Sequence, residues 1–316
     1  MNEFIDALKT APFMQYALLS GLLASVACGV VGTYVVARRI TYVAGGIAHC
    51  VLGGMGAAVY FSKVYHITWL TPLHGATMAA VLAAAIIGLV SLRFRQREDT
   101  IISALWASGM AAGVLFIVKT PGYQQDLLSY LFGNILMVSP GDLWLIAFLD
   151  LAVIVLSLAF YKQFLAICFD EEFARTRGVR VETFYMLLLV LTALTVVLLV
   201  TVVGIVLVIA LLTLPVAAAG QFARRLWQMM LLATLLSMLL TTAGLAVSYQ
   251  PDLPTGAMTI LLAGGTYVLS IALGSIAPFL RSTAREQAKA QDTASGSRDP
   301  SQHITDTHYD SRCNNP

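Results

Sequence analysis

Charge is the first thing this chain lacks. Only 11% of its 316 residues are Asp, Glu, Lys or Arg, against about 25% in an ordinary soluble domain. That is too little to clothe a soluble body of this size, which excludes soluble enzymes and nucleic-acid-binding modules. Cysteine is also sparse. Cys28, Cys50, Cys168 and Cys313 form no C-x-x-C pair, so there is neither a disulfide framework nor a zinc-finger pattern. Three catalytic signatures are missing as well. No G-x-x-x-x-G-K-[ST] loop occurs, so the chain carries no phosphate cradle for hydrolysing ATP itself. No H-E-x-x-H and no G-x-S-x-G occur either, which removes intramembrane metalloprotease and serine-hydrolase chemistry.

What the chain has instead is apolar length. Hydrophobic residues make up 58% and the mean hydropathy is +0.80, the composition of an integral membrane protein. A spanning helix needs about 20 mostly apolar residues. Apolar runs between polar breaks place candidates at 14–37, 42–61, 72–92, 100–118, 142–161, 182–201, 203–219, 226–248 and 255–280. The expectation is an all-α polytopic bundle of 8–9 helices. The first run follows a mixed polar segment with Glu3 and Asp6 and is long enough to span, unlike a cleavable signal. The continuous apolar stretch over 182–219 would be about 57 Å as straight helix. It is too long for one crossing and too short for two full ones, so one piece is expected to be re-entrant.

The basic residues set the sidedness. Arg38 and Arg39, then Arg93, Arg95 and Arg97, follow the first and third runs. Lys162, Arg175, Arg177 and Arg180 follow the fifth, and Arg224 and Arg225 the seventh. Arg281, Arg285, Lys289, Arg298 and Arg312 follow the last. Lys9, Lys63 and Lys119 are left for the other side. The positive-inside rule puts the larger group in the cytoplasm, with residues 1–13 outside and the C-terminus inside. Residues 120–140, on the outer side, contain a short amphipathic run that reads as an interfacial or re-entrant helix. Residues 281–316, rich in Ser, Asp, Gln and Thr, read as a disordered cytoplasmic tail. His303, His308 and Cys313 within it read as unselected solvated residues.

Ionisable groups inside spans are expensive and mark function or specific bonding. Away from the span ends there are two, His49 and Asp150. A gradient-coupled carrier normally carries several, so this poverty favours an energy source outside the chain. His49 lies eight residues past Thr41, about 12 Å into a core of about 30 Å. It reads either as a transient ligand for a borderline cation or as an imidazole bonded across helices. Asp150 is a cation contact or the bonding partner of a neighbouring Ser, Thr or Tyr. Cys28 and Cys50 read as small packing residues. Gly45, Gly46, Gly53, Gly54 and Gly56 provide small-residue faces for close helix approach. Pro215 frees a carbonyl within its helix. His66 and His74 flank an outer loop beside Trp69.

The cytoplasmic loop 162–181 contains D-E-E-F-A-R-T-R-G over 170–178. Glu171 and Glu172 fall in the first turn of a short helix, favourable for its dipole, and Gly178 is placed to end that helix in a left-handed conformation. The run Glu172-Phe173-Ala174-x-x-x-Gly178 resembles the E-A-A-x-x-x-G loop of permease subunits of ATP-binding-cassette importers. Three longer stretches, residues 13–54, 126–144, and 169–179 with 202–219, are similar in order and spacing to the divalent-metal permeases of bacterial ABC importers, the zinc/manganese/iron group. The resemblance covers about residues 12–280.

It implies a type II importer-like fold over 14–280 in the bacterial inner membrane, working as a homodimer. The cargo would be a divalent metal ion, with zinc, manganese and ferrous iron all fitting and the imidazole tilting toward zinc. A separate ABC ATPase would use the ATP and dock on Glu171, Glu172, Ala174 and Gly178. An extracytoplasmic metal-binding protein would deliver the ion. No bound cofactor, no catalytic residue and no nucleic-acid partner are implied. Members of that group often carry an Asp four residues before the motif His; here that position is Gly45. The alternative class is a gradient-driven metal carrier.

Overall fold

A computed structural model describes residues 10–67, 69–94, 98–121, 140–249 and 253–274. The sequence expectations for residues 1–9, for the outer segment and for the C-terminal tail fall largely or wholly outside these ranges. Among the described residues all regular structure is helical. The helices are α1 (Pro12–Ala37), α2 (Thr41–Tyr65), α3 (Pro72–Phe94), α4 (Glu98–Lys119), α5 (Pro140–Ala159), α6 (Tyr161–Phe169), α7 (Glu171–Thr176), α8 (Val181–Val203), α9 (Ile205–Gly220), α10 (Leu226–Tyr249) and α11 (Thr255–Gly274). The chain divides into a compact unit over Met1–Ser270 and a second over Ile271–Pro316. The contacts that position the functional residues lie in the first.

Seven of these helices are long and apolar enough to cross a membrane, and the fifth candidate brings the number to as many as eight. That candidate is not one straight rod. After Ala159 the chain bends by 69° into α6. The bend is packed with aromatic rings: Phe160 lies 5.4 Å from Phe184, and Phe164 lies 5.0 Å from Tyr34. The buried Tyr34 hydroxyl donates to the Ser157 carbonyl at 3.0 Å, tying α1 to the last turns of α5.

The long stretch over 182–219 breaks at Gly204, whose φ of 84° and ψ of 165° lie in a region open essentially to glycine alone. The second piece, α9, has 16 residues, about 24 Å of helix. That is short of the hydrocarbon thickness, as the sequence reading anticipated for one of the two.

Helices α1 and α8 form the middle of the bundle. α1 packs against α5, α8, α9 and α10, and α8 against α1, α2, α3, α5 and α9. On the periphery, apolar side chains stay outward in stripes. Trp144, Phe148, Leu151, Val155 and Leu158 of α5 are all exposed, spaced as one helix face, which is the surface a hydrocarbon solvent accepts. The most extensive helix pair is α2 with α4. They run parallel and in register, and they approach closely because glycines meet across the seam. A Cβ on Gly53 would lie 2.7 Å from the Gly109 carbonyl oxygen, and one on Gly56 2.7 Å from that of Gly113. Backbone cannot give way as a flexible side chain can, so small residues are required there.

Candidate functional site

The α2–α4 seam carries the first candidate site. Val43 to Ala48 and Cys50 are all buried, and His49 between them is not. The accessible edge of α2 continues through Tyr42, His49, Gly53, Ala57 and Tyr60, whose spacing follows one helical face. His49 stacks on Trp106 of α4, with centroids 4.2 Å apart and planes 16° from parallel. Its Nδ1 is buried and has no hydrogen-bond partner. About two turns toward the N-terminal end of α2, the Tyr42 ring lies 5.9 Å from Trp106. Ser103 donates to the Asp99 carbonyl at 2.7 Å, which leaves its oxygen to accept from the Tyr42 hydroxyl at 2.7 Å. Beyond His49 come the glycine seam and then an aromatic group in which Phe116 packs on Tyr60 and Phe61, at 5.6 and 5.8 Å.

α4 is the least buried of the spans. Over the first half of α4 its open face carries Ser103, Ala104, Ala107, Ser108 and Ala111, small and hydroxyl-bearing residues, before Leu115 and Val118 make it apolar like that of α5. Gly45 is buried one turn before His49. A Cβ there would lie 3.4 Å from Trp106 Cζ3 and 3.4 Å from Ile209 Cδ1. Cys50 points away from the His49 edge and its thiol donates to the Leu105 carbonyl at 3.2 Å.

Asp150 sits elsewhere. It is buried on α5 facing Ala27 and Cys28 of α1, and its Oδ1 has no hydrogen-bond partner. α5 packs on α1, α6 and α8, whereas α2 packs chiefly on α3 and α4, so His49 and Asp150 belong to different seams. Among the described residues no group of three or more His, Cys, Asp or Glu is placed to hold a metal. His66 adopts a left-handed backbone at the end of α2. His74 pairs through Nδ1 with Thr71 Oγ1 at 2.6 Å and meets Trp69 edge-on.

The second candidate site is the loop between α6 and α8. Asp170 caps α7, its carboxylate accepting from the Phe173 N–H at 2.9 Å. Glu171 and Glu172 occupy the first turn, near the positive end of the short helix dipole. Gly178 takes φ +78°, and the Val179 N–H closes back on the Ala174 carbonyl at 3.0 Å, the Schellman pattern that satisfies end carbonyls. Ala174 is fully buried, while Phe173 and Phe169 remain exposed.

One residue outside the predicted site, Arg38, holds this loop. Glu171 pairs with Arg38, which also donates to the Ile167 carbonyl and lies 4.6 Å over the Tyr185 ring. Arg38 belongs to the α1–α2 turn, where Arg39 takes φ +63° and the Ile40 N–H returns to the Val35 carbonyl at 3.0 Å. The loop is thereby joined to the start of the helix that carries His49. The Asp170 cap was legible as an Asp ahead of two acidic residues. Trp106 and Arg38 carry no local signal, because their partners lie far away in sequence.

Known proteins share this architecture. The chain is 44% identical over 82% of its length to an uncharacterized membrane protein of Synechocystis, covering 90% of that protein. It is 39% identical over 83% to a probable metal transport system membrane protein of Chlamydia trachomatis, covering 89%. It is 33% identical over 85% to a manganese transport system membrane protein of Halalkalibacterium halodurans, covering 90%. Among solved structures it superposes on PsaBC from Streptococcus pneumoniae in complex with Fab with a TM-score of 0.75 and 31% identity, over 85% of this chain and 94% of the other. The profile of the ABC 3 transport family matches residues 10–274, and the chain belongs to that family as a multi-pass membrane permease.

Proposed function

We propose that this chain is the ion-conducting permease of an ATP-driven importer of divalent transition-metal ions in the bacterial cytoplasmic membrane. The observation that carries the reading is His49. It is the one residue of 43–50 that is not buried, on a helix edge otherwise lined by small and aromatic groups, and its ring retains an unsatisfied nitrogen. A neutral imidazole at that depth offers a lone pair to a borderline cation without introducing a charge. The names of the Chlamydia and Halalkalibacterium relatives support metal, and the latter manganese, as the cargo. Zinc, favoured by the imidazole alone, stays within the class.

Two copies form the pore. The open small-residue face of α4 beside His49 supports this, since a lipid-facing helix has no need of such residues. The surface of Glu172, Phe173 and Phe169 receives a separate ATPase, Glu171 and Gly178 shape it, and Ala174 seats it on the bundle. The N-terminus faces outward, where an extracytoplasmic binding protein delivers the ion. The chain forms no covalent bond. ATPase closure moves α7, and the pore exchanges the side to which it opens.

The test is uptake of radiolabelled Mn²⁺ and Zn²⁺ by cells expressing the whole transporter. His49→Leu is expected to lower uptake about tenfold or more, the scale of lost metal contacts, while the ATPase still co-purifies. Normal uptake by this variant would overturn the reading.

A further inference from the structure

We propose that Trp106 is a specificity-determining residue, because its indole fills the space beside His49 that a second ligand side chain would need. The inference rests on the pathway reading of His49 and goes beyond it. Position 45 shares a face with position 49, as i,i+4 neighbours do, and it is where a companion ligand on α2 would stand. It is glycine, and the direction of its absent side chain runs into Trp106 Cζ3 and Ile209 Cδ1, both 3.4 Å from a Cβ built there. A Cβ alone meets ordinary contact. A carboxylate would extend farther and displace the indole or the isoleucine.

Trp106 also replaces the hydrogen bond that a metal-binding imidazole normally has. Such a ring is usually oriented by an acceptor on its second nitrogen. His49 Nδ1 has none, and the ring plane is set instead by the stack at 4.2 Å and 16°. Trp106 is in turn flanked by Tyr42, whose hydroxyl is engaged with Ser103. The indole has a donor and no acceptor, so it adds no lone pair for an ion.

Each chain therefore offers nitrogen here and denies carboxylate oxygen. Imidazole suits zinc and ferrous iron, whereas carboxylate suits manganese. Trp106 biases the path toward nitrogen-preferring ions, and on this reading the ion in the name of the Halalkalibacterium relative does not carry over to this chain.

The experiment measures Zn²⁺ and Mn²⁺ uptake in competition, in cells expressing the complete transporter, with expression and ATPase co-purification followed for every variant. Trp106→Ala is expected to lower uptake of both ions about tenfold, the size of effect seen when a group supporting a metal ligand is removed. Trp106→Phe, which keeps an aromatic face, is expected to restore most of it. Gly45→Asp alone is expected to leave the Mn²⁺:Zn²⁺ ratio unchanged, because the carboxylate has no room beside His49. Gly45→Asp with Trp106→Ala is expected to raise that ratio about tenfold, as a new oxygen ligand would.

The proposal is overturned if Trp106→Ala transports both ions like the parent, or if Gly45→Asp alone shifts the ratio as far as the double variant. It is also overturned if Phe fails to rescue a well-expressed Trp106→Ala. His49→Leu in the same assay separates the two readings. Normal uptake there removes the pathway reading itself, whereas a dead His49→Leu beside a normal Trp106→Ala removes only the role of the tryptophan.

Discussion

Asp150 and His49 are the two ionisable side chains set deep in the spans, and their surroundings differ. Asp150 is enclosed between α5 and α1 against Ala27 and Cys28, whereas His49 reaches the accessible edge of α2. A carboxyl group enclosed at a helix seam acts in packing and bonding before it acts on a cation. Asp150→Asn keeps volume and polarity, and it is expected to leave uptake at the parent level when expression is matched. Loss of uptake at normal expression would return Asp150 to the ion path. Sequence alone singled out both residues, because ionisable groups are rare in such spans. It could not assign them to different seams, since which face of α5 meets α1 depends on the whole bundle.

At the scale of elements, α7 has two acidic residues with separable tasks. Glu171 turns inward to Arg38. Glu172 is exposed and free to face a partner. Glu172→Arg is expected to reduce ATPase co-purification and uptake while the thermal stability of the detergent-purified protein stays within about 0.5 kcal/mol of the parent, as for surface changes. Undiminished ATPase recovery and uptake would show that this face is not the docking surface. Gly178→Val forces a β-branched residue to φ +78° and is expected to cost about 1–2 kcal/mol locally, lowering both ATPase recovery and the melting temperature. An unchanged melting temperature would show that the left-handed end is not required.

In the α2–α4 seam, Gly109→Val would drive side-chain atoms into the backbone and thiol of Cys50, which already lie 2.8 and 3.1 Å from a Cβ at that position. The expected loss is about 1–3 kcal/mol, typical of overpacking, read as a lower melting temperature. The helix end at Gly178 follows from a glycine after a short charged helix. The glycine seam was legible as a small-residue pattern, but its partner was not, because the same pattern fits α3, where Gly54 meets Gly75.

For the whole molecule, sidedness is the expectation with the widest reach. It orients α7 and Arg38 to the ATPase side and the Tyr60–Phe116 group to the outer side. A phosphatase reporter inserted in the loop beside Trp69 is expected to be active outside the membrane, and a fluorescent protein fused after residue 316 is expected to fold in the cytoplasm. The opposite pair of signals would invert every functional assignment made from the loops. The polar composition of 285–316 leaves it too little apolar surface to build a pore. Its deletion is expected to leave uptake unchanged, measured at matched expression.

Composition and hydropathy by themselves determined that this chain lives in a membrane as a helical bundle, because a bilayer imposes length and apolarity on each segment independently of its neighbours. They also located the two ionisable residues and the capped loop, which are local patterns. Only the tertiary structure decided that Arg38 ties that loop to the α1–α2 turn, that the fifth span bends by 69°, and that Trp106 lies on His49. These are contacts between helices far apart in sequence, and a periodic apolar pattern says that a face is buried without saying what buries it. Inside a membrane, where lipid is as apolar as the core, that choice is made by close packing of particular shapes, and shape complementarity exists only once the helices are brought together.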